Sequence, residues 1–365
     1  MKKQWIVAMA VAGWMIGSLG KGSAEEAAPT PAPTAPPVKI NGFLQAWMGA
    51  GNSPTTAPGH DYNLAGDYLK HFRIKIQAEP LPGVQVVMVP ELAGAFTLLD
   101  GYAWLDLNQA FLKGEAPGEL SLTAGQFKTP FGLDRMYLPS QLTGVEYSII
   151  SGAVFGDKSS WDDGLMATYK GKDLRVDLAV VKGLGPNLFT AAYAATTPLG
   201  LSTSNQDYLG RVEVPLFEGQ LALGASYYYG THFSTPGTQG FLAPKSWFGV
   251  HAKWKGAPKT YEVEAEFIGR ETGTLSAGEA AGVNIQADAW AVPDLQPFVL
   301  YDYFENHLTP AASASRMGGG VNWYPRTLPA LRLTLEVVGE GTGLVSADPS
   351  HLTSGKTILQ TQVTF

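Results

Sequence analysis

Hydrophobic and polar residues alternate with a period of two in many short segments of the chain. In the clearest of them, Phe72, Ile74 and Ile76 are separated by Arg73 and Lys75. Successive side chains of a β-strand point to opposite faces, whereas a helix would distribute these charges around its axis. The pattern therefore predicts strands that have one apolar and one charged face.

The same alternation, bounded by turn residues, predicts an even number of strands, sixteen in all. They are expected at 38–48, 67–79, 84–93, 98–107, 119–128, 163–171, 174–183, 205–215, 220–231, 246–255, 260–271, 283–292, 296–305, 314–324, 330–340 and 356–365.

Connections between the predicted strands alternate between short and long. Most even-to-odd connections are tight, as at 80–83, and most odd-to-even connections are long, as at 129–162 and 184–204. The exceptions are a short second loop near 94–97 and a long turn near 108–118. Short turns at one end, long loops at the other and an even strand count are typical of a bacterial outer-membrane barrel. A soluble β-sandwich, which also alternates, is the alternative.

Aromatic residues lie close to the ends of the predicted strands. Trp254 and Tyr261 flank one short turn, Trp323 approaches another, and Phe365 ends the chain. Such rings match the interfacial girdles of membrane barrels. In hydrocarbon a β-protein must close so that no backbone group is unpaired, and sixteen strands enclose an aqueous channel. The predicted fold is therefore all-β: a transmembrane antiparallel barrel with a wet interior.

The N-terminus has the pattern of a secretory signal. A basic start, the apolar stretch 5–19 and small residues at 22–24 predict a signal peptide over 1–24. The apolar stretch is short for a membrane anchor, which is the alternative. The Ala/Pro/Thr-rich segment 25–37 is expected to be an extended linker before the barrel at 38–365.

Charge and composition exclude several functions. The net charge is −7, and it becomes −10 when the signal and its three lysines are removed, which argues against a nucleic-acid partner. The chain has no cysteine, so it has neither a disulfide framework nor a cysteine metal site. It also lacks the His-Glu-x-x-His and Gly-x-Ser-x-Gly motifs. No catalytic residue, metal ligand or cofactor is therefore predicted.

Three stretches carry a resemblance to a known family. They are Phe72–Ile76, Gly125–Leu133 with the sequence GQFKTPFGL, and Gly320–Pro325 with the sequence GVNWYP, and the chain also ends on Phe365. In these stretches the chain resembles the phosphate-selective porin O and P family, with the likeness spread over 38–365.

The resemblance implies a trimeric, sixteen-stranded porin of the bacterial outer membrane. It also implies that the third loop folds into the lumen and narrows it, and the strand pattern independently places 129–162 as that third loop. The expected partners are outer-membrane lipid and lipopolysaccharide, further copies of the chain, and small hydrophilic solutes that diffuse through the pore.

The predicted interior face departs from the phosphate-selective members in its charge. It has eight basic and thirteen acidic residues, which favours a general pore that is neutral or mildly cation-preferring. An anion- or phosphate-selective porin is the alternative. The basic residues are Arg73, Lys75, Arg175, Arg211, Lys253, Arg270, Arg316 and Arg332; the acidic ones are Glu79, Glu91, Asp106, Glu119, Asp177, Asp207, Glu213, Glu262, Glu264, Glu266, Asp288, Asp302 and Glu336.

The third loop supplies candidate constriction residues. Arg135 and Glu146 are expected to face Arg73 and Lys75 on the wall, and Lys128 joins the candidate set from the GQFKTPFGL stretch. Loop charges opposite basic wall residues would filter solutes by size and charge. The alternative is that these loop charges face external water.

One predicted strand carries a row of glutamates. Glu262, Glu264 and Glu266 recur at period two, followed on the same face by Arg270. The row is a candidate for attracting cations, although a divalent ion would need converging carboxylates. The alternative is a solvated face that neighbouring strands neutralise.

Three other functions compete with a passive channel. A barrel enzyme would need a catalytic group on the outer strands or loops, and no motif for one is present. A surface adhesin or receptor would use the long loops and a plugged lumen. A soluble exported β-protein would not require detergent for extraction.

Overall fold

Sixteen antiparallel strands close into one barrel in the computed structural model, which confirms the predicted fold. The structure describes residues 38–52, 66–93, 97–109, 118–155, 161–182, 206–232, 243–256, 260–272, 280–306, 313–342 and 354–365. The strands are β1 Val38–Asn52, β2 Gly66–Leu81, β3 Val84–Glu91, β4 Thr97–Asp106, β5 Glu119–Lys128, β6 Trp161–Lys170, β7 Arg175–Val181, β8 Asp207–Leu216, β9 Leu221–His232, β10 Ala243–Lys255, β11 Tyr261–Thr272, β12 Ala280–Ala289, β13 Leu295–Asn306, β14 Ala314–Trp323, β15 Leu331–Thr342 and β16 Ser354–Thr364.

Each strand pairs with its neighbours in the sequence, and β16 pairs with β1 to close the barrel. The predicted boundaries differ from the observed ones by a few residues. Several predicted segments lie outside the described residues: the signal and linker at 1–37, the second loop at 94–96, and residues 110–117 of the long turn. In the part of the chain that the structure describes, no helix is long and apolar enough to cross a bilayer.

The outer face of the barrel is apolar. Leu165 is 63% exposed, Val299 60% and Val337 53%, although all three are in regular strands. Trp254 and Tyr261 also lie on the outside, near the short-turn end. Such a surface is favourable in hydrocarbon and costly in water, as a membrane barrel requires.

The inner face is polar only in part, which corrects the expectation of a uniformly wet interior. The interior side chains of Trp47, Phe298, Leu300, Val338 and Ile358 are buried. These residues occupy the inward positions that strand alternation predicts, but they are not exposed to water. These apolar positions lie where the third loop packs against the wall.

The third loop lies between β5 and β6, and its described residues, 129–155, fold into the barrel as predicted. It contains two short 3-10 turns and the helix α1, Ile149–Phe155. Phe131, Ile149 and Ile150 of the loop are buried with interior aromatic residues of β9 to β13, among them Trp247. Burial of apolar area at about 25 cal/mol per Å² stabilises this inward position.

The three consecutive tyrosines of β9 divide between the two faces of the barrel. Tyr227 and Tyr229 are about half exposed on the outside, but Tyr228 between them is buried and donates a hydrogen bond to Asp207. Strand alternation requires this, because three consecutive residues cannot share one face.

The assignment of faces predicts that a new charge destabilises the barrel at an outward position and has a smaller effect at a neighbouring inward one. Val299→Arg places a cation on the outer face and is expected to destabilise the barrel by about 2–4 kcal/mol if it lies near the bilayer midplane. Gln286→Arg, on the adjacent strand at the same level but facing inward beside Glu264, is the matched control. Urea unfolding in lipid vesicles, followed by gel mobility without heating, measures both. Equal destabilisation by the two substitutions would contradict the assigned faces.

Candidate functional site

The third loop is bound to the barrel wall at many points between Gly132 and Tyr147. Arg211 Nε donates to the carbonyl of Gly132 at 3.1 Å, and the Gly132 amide donates to Ser226 Oγ at 3.0 Å. Further along, Gln45 Nε2 donates to the carbonyl of Pro139 at 3.1 Å. These wall residues belong to β8, β9 and β1, so the loop crosses the lumen from one side to the other.

Side chains near the short-turn end of the barrel donate hydrogen bonds to carbonyl groups further along the loop. Arg332 Nη1 of β15 donates to the carbonyl of Leu142 at 2.8 Å, and Asn322 Nδ2 of β14 donates to the carbonyl of Thr143 at 2.9 Å. An irregular segment inside a barrel has no strand to pair with, and an unpaired buried carbonyl is costly. The wall therefore supplies the partners that a sheet would otherwise provide.

Two buried wall carboxylates accept hydrogen bonds from loop amides. Glu266 accepts from Leu133 at 2.7 Å and from Asp134 at 3.3 Å, and Glu336 accepts from Val145 at 2.7 Å. Glu266 is 2% exposed and Glu336 is not exposed. Bonds from amides to a carboxylate are about twice as strong as neutral ones. Both carboxylates therefore anchor the backbone of the loop to the wall.

Gly132 allows the loop to approach Glu266 closely. Its φ is +70°, and a Cβ on it would overlap Glu266 Oε1. A residue with a side chain would both strain the backbone and displace the carboxylate. Gly132 is part of the GQFKTPFGL stretch, so the resemblance motif has a structural role at the start of the loop.

The glutamate row of β11 is used for holding the loop and for ion pairing. Glu264 is 7% exposed; it accepts from Tyr137 of the loop at 2.5 Å and pairs with Lys253 at 2.5 Å. Glu262 pairs with the same lysine at 2.6 Å. Burial and the Glu264 carboxylate raise the pKa of Tyr137, so its hydroxyl stays protonated and donates. The described partners of the row are thus lysines and loop groups, as in the alternative of a neutralised face, and its role in attracting cations stays a prediction.

Glu146 was expected to lie opposite Arg73 and Lys75, but the structure places it elsewhere. It lies between Lys356 of β16 at 2.5 Å and Arg316 of β14 at 3.3 Å. Arg316 also pairs with Asp302 at 2.5 Å, and both of these side chains are buried. Removing one member of a buried charge network leaves the others uncompensated, at a cost of about 3–5 kcal/mol. Glu146 therefore fixes the tip of the loop to the far wall.

Arg73, Lys128 and Arg135 lie together with aromatic rings between them. Arg73 is 5.3 Å and Lys128 5.2 Å from the ring centre of Trp161, measured from the guanidinium carbon and Nζ. Lys128 is 5.3 Å and Arg135 4.7 Å from the ring centre of Tyr147. We call Arg73, Lys128, Arg135, Trp161 and Tyr147 the cation–ring cluster. Each contact of this kind stabilises by about 0.5–2 kcal/mol, more when desolvated.

The other wall residues that were predicted to line the constriction lie in separate environments. Arg73 also pairs with Glu91 at 2.7 Å. Lys75 is partly exposed and has no hydrogen-bonded or ion-paired partner among the described residues. Arg270 stacks on Trp247 with its guanidinium carbon 5.3 Å from the ring centre. The structure thus brings Arg73, Lys128 and Arg135 together but leaves Lys75, Arg270 and Glu146 apart from them; their roles in conduction stay predictions.

Sequence reasoning missed several residues that hold the loop. Lys356 and Glu340 pair at 2.9 Å beside Glu146, and Asn322 reaches the loop backbone. A signal for Lys356 was present, because it continues the inward set of Gln360 and Gln362 on the last strand. In the described part of the chain no group of three or more His, Asp or Glu side chains is placed to hold a metal ion.

The two anchoring carboxylates predict local changes in hydrogen exchange. Glu266→Ala leaves the Leu133 and Asp134 amides without an acceptor, at about 1–3 kcal/mol each, so these amides are expected to exchange roughly tenfold faster or more. Glu336→Ala is expected to act on Val145 instead. Glu262→Ala is the matched control, because its carboxylate pairs with Lys253 and Lys255 and accepts no hydrogen bond from a loop amide that the structure describes. Mass-spectrometric exchange of the folded protein measures peptides over 129–148. Equal exchange in all three variants would contradict the anchoring role.

No family model matches the sequence, and a search of curated proteins found no match. Solved structures of outer-membrane proteins are similar to it. The outer membrane channel DcaP of Acinetobacter baumannii has a TM-score of 0.62 at 12% identity, over 93% of this chain and 100% of that one.

An anion-selective porin from Comamonas acidovorans also has a TM-score of 0.62 at 12% identity, over 90% of this chain and 99% of that one. The trimer form of OmpT, an outer membrane protein of Vibrio cholerae, has a TM-score of 0.60 at 12% identity, over 91% and 100%. At such identities the likeness shows the fold alone. This chain therefore shares its barrel fold with outer-membrane channel proteins.

Proposed function

We propose that this chain is an outer-membrane porin that lets small hydrophilic solutes and ions diffuse passively. The observation that carries the proposal is a closed barrel of sixteen strands with an apolar exterior, inside which a loop is fixed across a polar lumen. A wide barrel needs such a loop to limit the size of what passes. In a soluble protein this apolar exterior would be exposed to water, which is unfavourable.

The pore works by geometry and electrostatics and involves no covalent step. Solutes exchange part of their hydration for polar wall groups, and the loop sets the narrowest cross-section. A rigid loop gives a sharp size limit, and the buried network of Glu146, Arg316 and Lys356 supports that rigidity. No catalytic motif supports an enzymatic reading.

Weak ion selectivity fits the interior better than a strong cation preference. Glu266, Glu336 and Asp302 were counted as lumen anions, but they are buried against loop amides or Arg316. The charge of Asp302 is balanced by Arg316, and burial keeps all three carboxylates out of direct contact with passing ions. We expect a pore that is close to neutral.

An anion-preferring pore is the second candidate. The cation–ring cluster places Arg73, Lys128 and Arg135 near one another beside the loop. The sequence resemblance to phosphate-selective porins and the anion-selective porin among the structural neighbours favour this reading. Against it, Glu91 pairs directly with Arg73, and Asp134 adds a second carboxylate next to Arg135.

We further propose that the protein is exported by a cleaved signal over 1–24 and assembles as a homotrimer in outer-membrane lipid and lipopolysaccharide. The basic and apolar start of the chain supports export. The trimer form of a structural neighbour supports the assembly state.

Planar-bilayer recording tests the channel directly. Detergent-purified protein is expected to insert in discrete conductance steps, with a reversal potential close to zero under a KCl gradient. Folding is verified beforehand by heat-modifiable gel mobility. A strong anion preference would favour the second candidate. The absence of conductance from correctly folded protein would refute the porin and leave the adhesin or receptor barrel.

A further inference from the structure

We propose that the outer face of the barrel holds one phospholipid molecule in a groove formed by β9, β10 and β11 near the short turns. The inference goes beyond conduction and requires only that the barrel lies in a membrane. The volume of the groove is about 380 Å³, which is within the range of pockets that bind small ligands. Its lining consists of Leu221, Ala252, Trp254, Tyr261, Val263 and Ala265.

The groove forms where two small residues meet on a regular hairpin. Ala252 of β10 is directly opposite Ala265 of β11, in the outward set of both strands. Val250 and Phe267 form the next outward pair toward the middle of the membrane, and Trp254 lies on the other side, toward the short turn. Larger side chains on both sides of the small pair therefore leave a depression in the lipid-facing surface.

A second hairpin of the barrel provides an internal comparison. Trp323 ends β14 much as Trp254 ends β10, and it is also about half exposed on the outside. The next outward pair on that hairpin is Val321 with Leu335. Branched side chains there occupy the place that the two alanines leave open. The depression between β10 and β11 is therefore a property of its own residues and not of the barrel shape.

The surroundings of the groove indicate what fills it. Its lining belongs to the lipid-facing side, so in the membrane it meets acyl chains and not water. Empty space in hydrocarbon would deprive the lining of dispersion contacts, and a flexible acyl chain can follow the depression and restore them. Apolar burial alone gives little preference for one molecule, because the bulk lipid is equally apolar.

Two hydrogen-bond donors at the rim supply that preference. Trp254 is 53% exposed and Tyr261 44%. Neither the indole N–H nor the hydroxyl group has a hydrogen-bond partner among the described residues. Rings of the interfacial girdle place their polar ends at the level of the headgroups. Both groups can therefore donate to phosphate or ester oxygens of the lipid whose chain lies in the groove.

Position and charge select the class of lipid. The short turns of a bacterial barrel face the periplasm. The leaflet on that side of the outer membrane consists of phospholipid, whereas lipopolysaccharide occupies the other leaflet. Lys255, next to Trp254, is already paired with Glu262 at 3.3 Å, so it is not an unpaired cation that would favour an anionic headgroup. A zwitterionic phospholipid fits this site best.

Native mass spectrometry of the folded protein in detergent tests the site. After delipidation, phosphatidylethanolamine is added, and retention of one lipid per chain is expected. Ala252→Leu combined with Ala265→Leu fills the groove and is expected to abolish this retention. Trp254→Phe combined with Tyr261→Phe keeps the rings but removes both donors. A hydrogen bond in a membrane contributes about threefold in affinity, so the second variant is expected to bind roughly tenfold more weakly.

Trp323→Phe is the matched control, because it removes an equivalent indole donor beside a filled surface. Equal retention in all variants would overturn the proposal, as would preferential retention of lipid A. If a second copy of the chain covers the groove, the leucine variant loses its oligomer without a change in lipid, which would also overturn it. Conductance in a planar bilayer is expected to be unchanged in every variant, because these residues face away from the lumen. Failure of the lipid site and failure of the porin function are therefore separate results.

Discussion

Every backbone amide and carbonyl that is removed from water needs a partner, and this requirement shapes the protein at two levels. In the barrel it is met by strand pairing, which continues around the circle because β16 bonds to β1. Inside the barrel it is met differently. The third loop has no neighbouring strand, so wall side chains such as Glu266 and Arg332 take the place of one.

The alternation of residues was sufficient to predict the barrel, because a strand that separates lipid from a polar interior must alternate. The β11 segment illustrates this: Tyr261, Val263 and Phe267 face outward, as expected. Glu262, Glu264 and Glu266 face inward. The partners of the inward set could not be predicted. Glu266 binds the backbone amides of Leu133 and Asp134. Almost every residue has such an amide, so the sequence does not indicate which ones a carboxylate will bind.

The interior apolar residues were missed for a related reason. Phe298 and Leu300 occupy inward positions of β13, and alternation alone assigned that face to water. They are apolar because the loop covers them, and the course of the loop is determined by contacts far along the chain. The formal charge count was misleading in the same way. Counting Glu336 with the lumen anions ignores that its carboxylate is buried and accepts a hydrogen bond from a loop amide, so it does not meet a passing ion.

The loop is made early in the chain, but many of its partners come late. Ser140 is bound by Gln362, 222 residues further on, and Glu146 by Lys356, 210 residues further on. Contacts of such separation form slowly because the intervening chain must be ordered first. The contacts of Ser140 and Glu146 can therefore form only when the last strand is in place. A barrel without its last strand lacks these contacts, so closing the barrel also completes the attachment of the loop that crosses its lumen.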